Sequence, residues 1–131
     1  MSLFSAAKDL STTGNIHYVV ANAGITKQDE VFAYNPAGPE KPDLKTIDVN
    51  LVGTLYTTKL ATHYFISQNG QSEASEQEDT CLVLISSGAG YFDCPRTPQY
   101  QATKHGMRGI MRSMRRTAHH YGSRVNIIAP W

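Results

Sequence analysis

The sequence predicts an α/β fold built on a three-stranded parallel sheet, and three observations carry that reading. Three short runs, "IHYVVA" (residues 16–21), "CLVLIS" (81–86) and "RVNIIAP" (124–130), are apolar on successive positions and rich in β-branched residues, as strands covered on both faces of a parallel sheet are. Between them lie two long segments whose apolar residues recur mostly at helical steps. Strict alternation of strand and helix implies βαβ units with right-handed crossovers, and therefore parallel strands.

Taken in order, residues 2–10 carry Leu3, Phe4, Ala6, Ala7 and Leu10 at helical spacing and are broken by the polar run 11–15, which predicts the tail of a helix. The first strand, 16–21, ends at Asn22, Ala23 and Gly24. Residues 25–42 hold Pro36, Gly38, Pro39 and Pro42 and read as loop with one short helical turn. From Asp43 to about Gln68 the apolar positions Leu44, Ile47, Leu51, Leu55, Leu60, Tyr64 and Phe65 predict one long amphipathic helix. "NGQSEASEQEDT" (69–80) is polar, acidic and aperiodic, and reads as a solvated linker. After the second strand come a small-residue turn, "SGAG", and a proline-bearing loop. A helix then spans about 99–121, with Met107, Ile110, Met111, Met114 and Ala118 along one face as core filling, before the third strand.

Composition narrows the function. Of 131 residues, 40% are apolar and 18% charged, and Lys plus Arg exceed Asp plus Glu by 12 to 11. No global field draws such a chain to nucleic acid or an anionic membrane. The apolar runs are far shorter than the roughly 18 residues of a membrane span, so a soluble, cytoplasmic protein is expected, with no membrane and no nucleic-acid partner. Cys81 and Cys94 give neither a metal spacing nor a disulfide framework and read as reduced thiols. The histidines are scattered, or adjacent at a helix end in His119 and His120, so no metal site is expected. Arg108, Arg112, Arg115 and Arg116 read as a solvated basic face.

Ligands of open parallel sheets bind beyond the carboxyl ends of the strands. Polar residues stand at those ends: Asn22 to Gly24 after the first strand, Ser86 and Ser87 after the second, Pro130 after the third. Ser86, one position earlier on a strand end, points away from Ser87. In "YQATK" Tyr100 and Lys104 are four apart, on one face of the last helix. Alone, such a pair is an ordinary helical neighbour. An ammonium about 4 Å from a phenolate at an effective dielectric near 20 favours the ionised form by about 4 kcal/mol before desolvation, enough to make a phenol a proton donor or acceptor near neutrality.

Five signatures in order, "ANAG" (21–24), "DVNLVGT" (48–54), "ISSGAG" (85–90), "YQATK" (100–104) and "VNIIAP" (125–130), together resemble the short-chain dehydrogenase/reductase family over nearly the whole chain. The resemblance implies a partial Rossmann-type doubly wound parallel sheet, with residues 1–131 a single, incomplete NAD(P)-binding domain. It implies that Tyr100 passes a proton to or from the substrate oxygen and that Ser87 hydrogen-bonds that oxygen. It implies further that Lys104 lowers the Tyr100 pKa and binds the nicotinamide ribose, and that Asn50 holds a water relaying protons from Lys104 to solvent. Asn22, Ala23, Gly24 and Pro130 join Tyr100 and Lys104 on the cofactor side. "VVANAGI" (19–25), "VNLVGTLYTTKLATHYF" (49–65) and "VNIIAPW" (125–131) are similar to fungal secondary-metabolite dehydrogenases of the 15-hydroxyprostaglandin dehydrogenase type. That implies NAD in preference to NADP, a bulky secondary alcohol or ketone as substrate, and a homo-oligomer in full-length form, paired through the helices of Asn50 and Tyr100.

The family's T-G-x-x-x-G-x-G turn, whose backbone amides receive the pyrophosphate, is not in this sequence, nor is the residue that selects NAD or NADP. Trp131 stands where the family's pattern has glycine after Pro130. The 131 residues are therefore expected to be the catalytic half of an oxidoreductase, with little or no activity alone; the alternative is an inactive remnant that at most associates with other subunits.

Overall fold

The computed structural model describes residues 3–27 and 30–131. A first helix, α1 (Leu3–Leu10), leads to strand β1 (Tyr18–Ala21); the predicted helix start at Ser2 lies outside the described residues. The loop beyond β1 carries one helical turn, Glu30–Phe32. Helix α2 (Lys45–Ile47) passes through a wide turn, Asp48–Val52, directly into α3 (Gly53–Asn69). Strand β2 (Thr80–Ile85), a tight turn at Gly88–Gly90, helix α4 (Pro98–His120) and strand β3 (Ser123–Ile128) complete the chain.

The three strands lie in the order β1-β2-β3, all parallel, with Val19 beside Leu82 and Leu82 beside Val125. Two right-handed crossovers stepping the same way across a sheet deliver both helices to the same face. One core therefore joins Ala61 and Phe65 of α3 and Met107 of α4 to Val19, Leu82, Leu84 and Val125. Helix α1 reaches it through Phe4, stacked on Tyr64 at 5.4 Å.

The expectation that "IHYVVA" is covered on both faces does not hold. Val19 and Ala21 are buried, whereas Tyr18 and Val20 are 57% and 55% exposed. On their face of the sheet Arg124, Asn126 and Ile128 are exposed as well. The reason is topological: both helices lie on the opposite face, so the described residues form one side of a doubly wound arrangement.

The stripe predicted on the long helix also moves. Leu44, Leu55 and Leu60 are exposed, and the inward positions are Thr46, Asn50, Thr54, Thr58, Ala61 and Phe65. The Gly53 amide reaches back five residues to the Asp48 carbonyl. This wide turn holds one residue more than an α-helical turn, so a stripe read at uniform helical steps slips by about one position.

Nor is the acidic segment 69–80 a mere linker. Ala74 N donates to the His120 carbonyl and Glu78 N to the Gly122 carbonyl, each at 2.9 Å, and the Gln77 amide nitrogen also donates to Gly122 O. Asp79 accepts from Tyr18 Oη at 2.6 Å and from Arg124 at 2.9 Å. Gly122 sits at φ 71°, and a Cβ there would lie 3.2 Å from Ala74 Cβ; both facts favour the residue without a side chain.

Candidate active site

Helix α4 starts at Pro98, whose missing N–H costs nothing in a first turn. That start places Tyr100 in the first turn and Lys104 in the next. Lys104 Nζ donates to the Ile85 carbonyl at 2.9 Å, at the carboxyl end of β2, and lies over the Tyr100 ring, 5.4 Å from its centroid. The ammonium is thus tethered between the sheet and the phenol. Lys104 is 6% exposed, and burial holds its ammonium below its usual pKa, because a desolvated cation is disfavoured.

Asn50 lies in the wide turn, where the altered phase aims it inward, and is 2% exposed. Its Oδ1 accepts from Ile25 N and its Nδ2 donates to Ile25 O, both at 2.8 Å, and Nδ2 also donates to Thr103 Oγ1 at 3.3 Å. One amide thereby joins the segment after β1 to α4. Gly24 completes the group: a Cβ there would lie 3.5 Å from Asn50 Oδ1 and 3.6 Å from Lys104 Nζ. The bare glycine leaves the space between amide and ammonium open.

Ser86 and Ser87 diverge. The Ser86 hydroxyl is buried and donates to the Lys104 carbonyl at 2.9 Å. Ser87 Oγ accepts the Ala89 amide at 3.2 Å, capping the turn Gly88–Gly90. That turn presses on α4 because Gly90 has no side chain; a Cβ would meet Ser86 Oγ at 2.5 Å and Lys104 O at 2.7 Å. The Gly88 amide donates to the Pro130 carbonyl at 2.8 Å, extending the β2–β3 ladder beyond both strands.

The structure therefore gathers Gly24, Asn50, Tyr100 and Lys104, and sets Ser87 at the head of the adjoining turn, whose Gly88 amide bonds the Pro130 carbonyl. Asn22 and Ala23 go elsewhere, lining a groove of about 660 Å³ with Leu3, Phe4, Val49 and Thr54, along the free edge of β1. Sequence reasoning missed Thr103, Ser86 and Gly90 as supports. It also missed Gln99, buried and donating to the Asp43 carbonyl at 2.9 Å. The small-residue run "SGAG" was the available signal for Gly90. Arg108, read as part of a solvated face, instead donates to the Gly90 carbonyl at 3.3 Å and lies 4.4 Å over the Tyr91 ring. Cys81 and Cys94 are free thiols. Among the described residues no helix is long and apolar enough to cross a membrane, and no three His, Cys, Asp or Glu side chains are placed to hold a metal.

A strand-end hydroxyl and a helix-borne Tyr–Lys pair on a parallel sheet are the arrangement of one class of nucleotide-linked enzymes, and the profile described as short chain dehydrogenase matches residues 2–131. The chain belongs to that family. It is 38% identical over 140 residues to the NADP-dependent dehydrogenase clz5 of Cochliobolus lunatus, covering 98% of this chain and 49% of that protein. It is 30% identical over 142 residues to the 5'-hydroxyaverantin dehydrogenase stcG of Emericella nidulans, covering 100% of this chain and 47% of that protein. Among solved structures, a gluconate 5-dehydrogenase from Burkholderia cenocepacia in complex with NADP and tartrate superposes with a TM-score of 0.72 at 25% identity, over 95% of this chain and 45% of that one. The chain thus spans about half the length of these relatives.

Proposed function

We propose that this chain is the catalytic segment of an NAD(P)-dependent oxidoreductase acting on a secondary alcohol or ketone. The observation that carries the reading is the Lys104 ammonium held over Tyr100 by the Ile85 carbonyl, with Asn50 and the bare Gly24 beside it. In that reading Tyr100 exchanges a proton with the substrate oxygen, and the Ser87 hydroxyl fixes that oxygen. Lys104 holds the ribose hydroxyls and returns the proton through a water in the gap beside Asn50 and Gly24. Bound nicotinamide supplies or accepts the hydride.

The residues present fit one end of such a cofactor. An ammonium at a strand's carboxyl end, approached past a residue with no Cβ, suits a ribose. For the pyrophosphate end the described residues hold no glycine-rich strand-to-helix turn: β1 runs into a non-helical segment at residues 22–27. The whole protein's activity therefore needs a segment bearing that turn. The subgroup resemblance favours NAD, and clz5 is a relative named for NADP.

The rival reading, a remnant that only associates, draws on the outward face of α3, where Leu55, Tyr56 and Leu60 are 48%, 70% and 41% exposed. The same face suits the homo-oligomer proposed for the full-length form. The deciding experiment uses Tyr100→Phe in the full-length protein. Nicotinamide cofactor binding, followed by its fluorescence, is expected to persist, while turnover falls by roughly 100-fold or more. Unchanged turnover removes Tyr100 from the mechanism.

A further inference from the structure

We propose that Arg108 is a positioning residue that sets the direction of the Ser87 hydroxyl through the turn between them. The inference deepens the oxidoreductase reading and rests on it for what that hydroxyl does. Ser87 has extended backbone, and its Oγ accepts the Ala89 amide at 3.2 Å. A hydroxyl has one hydrogen to give. With its oxygen held by an amide, Ser87 keeps that hydrogen for a substrate oxygen, and the direction in which it points follows the shape of the turn.

The turn does not hold that shape by itself. It is a single tight turn, closed by the Gly90 amide on the Ser87 carbonyl and the Tyr91 amide on the Gly88 carbonyl, each at 2.9 Å. So short a helical segment is marginal without outside contacts. Helix α4 supplies them. Gln101 Nε2 donates to the Phe92 carbonyl at 2.9 Å, Lys104 Nζ to the Ile85 carbonyl at 2.9 Å and Arg108 Nη1 to the Gly90 carbonyl at 3.3 Å. Positions 101, 104 and 108 share one face of the helix, so a single stripe of donors grips the chain on both sides of Ser87.

Of that stripe, Arg108 is the member that grips the turn itself. Lys104 holds the chain before it and Gln101 the chain beyond. The Arg108 guanidinium also lies 4.4 Å from the Tyr91 ring centroid, a cation–π contact. A planar group with several donors can lie on a ring and donate to the neighbouring carbonyl at once. The bare Gly90 lets the turn sit flush on α4, and Arg108 keeps it there. The turn bearing Ser87 and the helix bearing Tyr100 and Lys104 thereby move as one body. That matters to rate, because a misplacement of about 1 Å between reacting groups costs on the order of 100-fold.

The test uses the full-length protein. Amide hydrogen exchange, followed by nuclear magnetic resonance, reads Ser87 without substrate. In Arg108→Ala the Ala89 amide is expected to exchange roughly fivefold faster, towards its rate in Ser87→Ala. The Leu82 and Leu84 amides of the core strand are expected to hold, as the check of folding, and Arg112→Ala to leave Ala89 as it was. Turnover of 2-decalone, a bulky ketone, with nicotinamide cofactor separates positioning from general support. Arg108→Ala is expected to lower kcat roughly tenfold with the cofactor KM kept, and to add less than about twofold to the loss in Ser87→Ala, because residues acting through one group are not additive. A loss by the same factor in both backgrounds overturns the proposal, as does unchanged Ala89 exchange in Arg108→Ala. Exchange at Ala89 decides the positioning whether or not 2-decalone turns over. A Tyr100→Phe variant working at the unsubstituted rate sinks the redox reading and leaves the positioning to stand or fall on exchange.

Discussion

Lys104 shows how one side chain acquires its chemistry from neighbours distant in sequence. It hydrogen-bonds the end of β2, faces Tyr100 one turn earlier, and shares the space over Gly24 with Asn50. Desolvation holds its ammonium below the usual lysine value. The unfolded chain therefore binds this proton more tightly than the folded one, and stability rises with pH between the folded pKa and the usual value near 10.5. Below that window the penalty is fully present. Urea unfolding of the chain and of Lys104→Met from pH 8 to pH 10.5 is expected to show a more positive slope of stability against pH in the unsubstituted chain. Parallel slopes contradict the assignment. Tyr18, its phenol raised chiefly by the hydrogen bond to Asp79, titrates in both proteins and cancels.

At the scale of elements, the wide turn Asp48–Val52 decides which residues of the long helix face the sheet. It places Asn50 where both its amide groups are used, and Thr54 Oγ1 donates to the Asn50 carbonyl at 2.7 Å. It also brings Thr58 inside, 4% exposed, with no partner for its hydroxyl among the described residues. A buried hydroxyl without a hydrogen bond is costly, and an isosteric apolar group removes the cost. Thr58→Val is expected to stabilise the fold by about 1 kcal/mol, read as a higher thermal midpoint by circular dichroism. A lower midpoint means the hydroxyl has a partner after all. The loop 70–79, tied to the α4–β3 turn through Ala74, Glu78 and Gly122, is a latch between elements that polar composition alone disguised as linker.

For the molecule as a whole, the one-sided sheet is the governing feature. Val19 and Val20 are adjacent and chemically identical, yet 9% and 55% exposed. Val19→Lys buries an unpaired charge in the core and is expected to unfold the chain. Val20→Lys is expected to change stability by less than about 1 kcal/mol and to reduce association through the bare face, measured by light scattering across a concentration series. Equal damage from both substitutions means that the second face is covered in solution. Among the described residues β1 is an edge strand, and the groove runs beside it.

Sequence alone determined the order of strands and helices, their parallel sense, and the residue types that gather at the carboxyl rim, because apolar period and turn chemistry act locally. The pair Tyr100 and Lys104 was legible as a fixed spacing on one helix, whereas Asn50 and Ser87 were expected as site residues from the family resemblance. Only the tertiary structure decided which face of β1 is wet, how far the stripe of α3 slips, that Arg108 supports the turn after Ser87, and that Trp131 rests on Gly88. Each depends on contacts between segments far apart in the chain. Such contacts follow from the side to which a crossover delivers its helix and from one extra residue in a helical turn, neither of which leaves a periodic mark in the sequence.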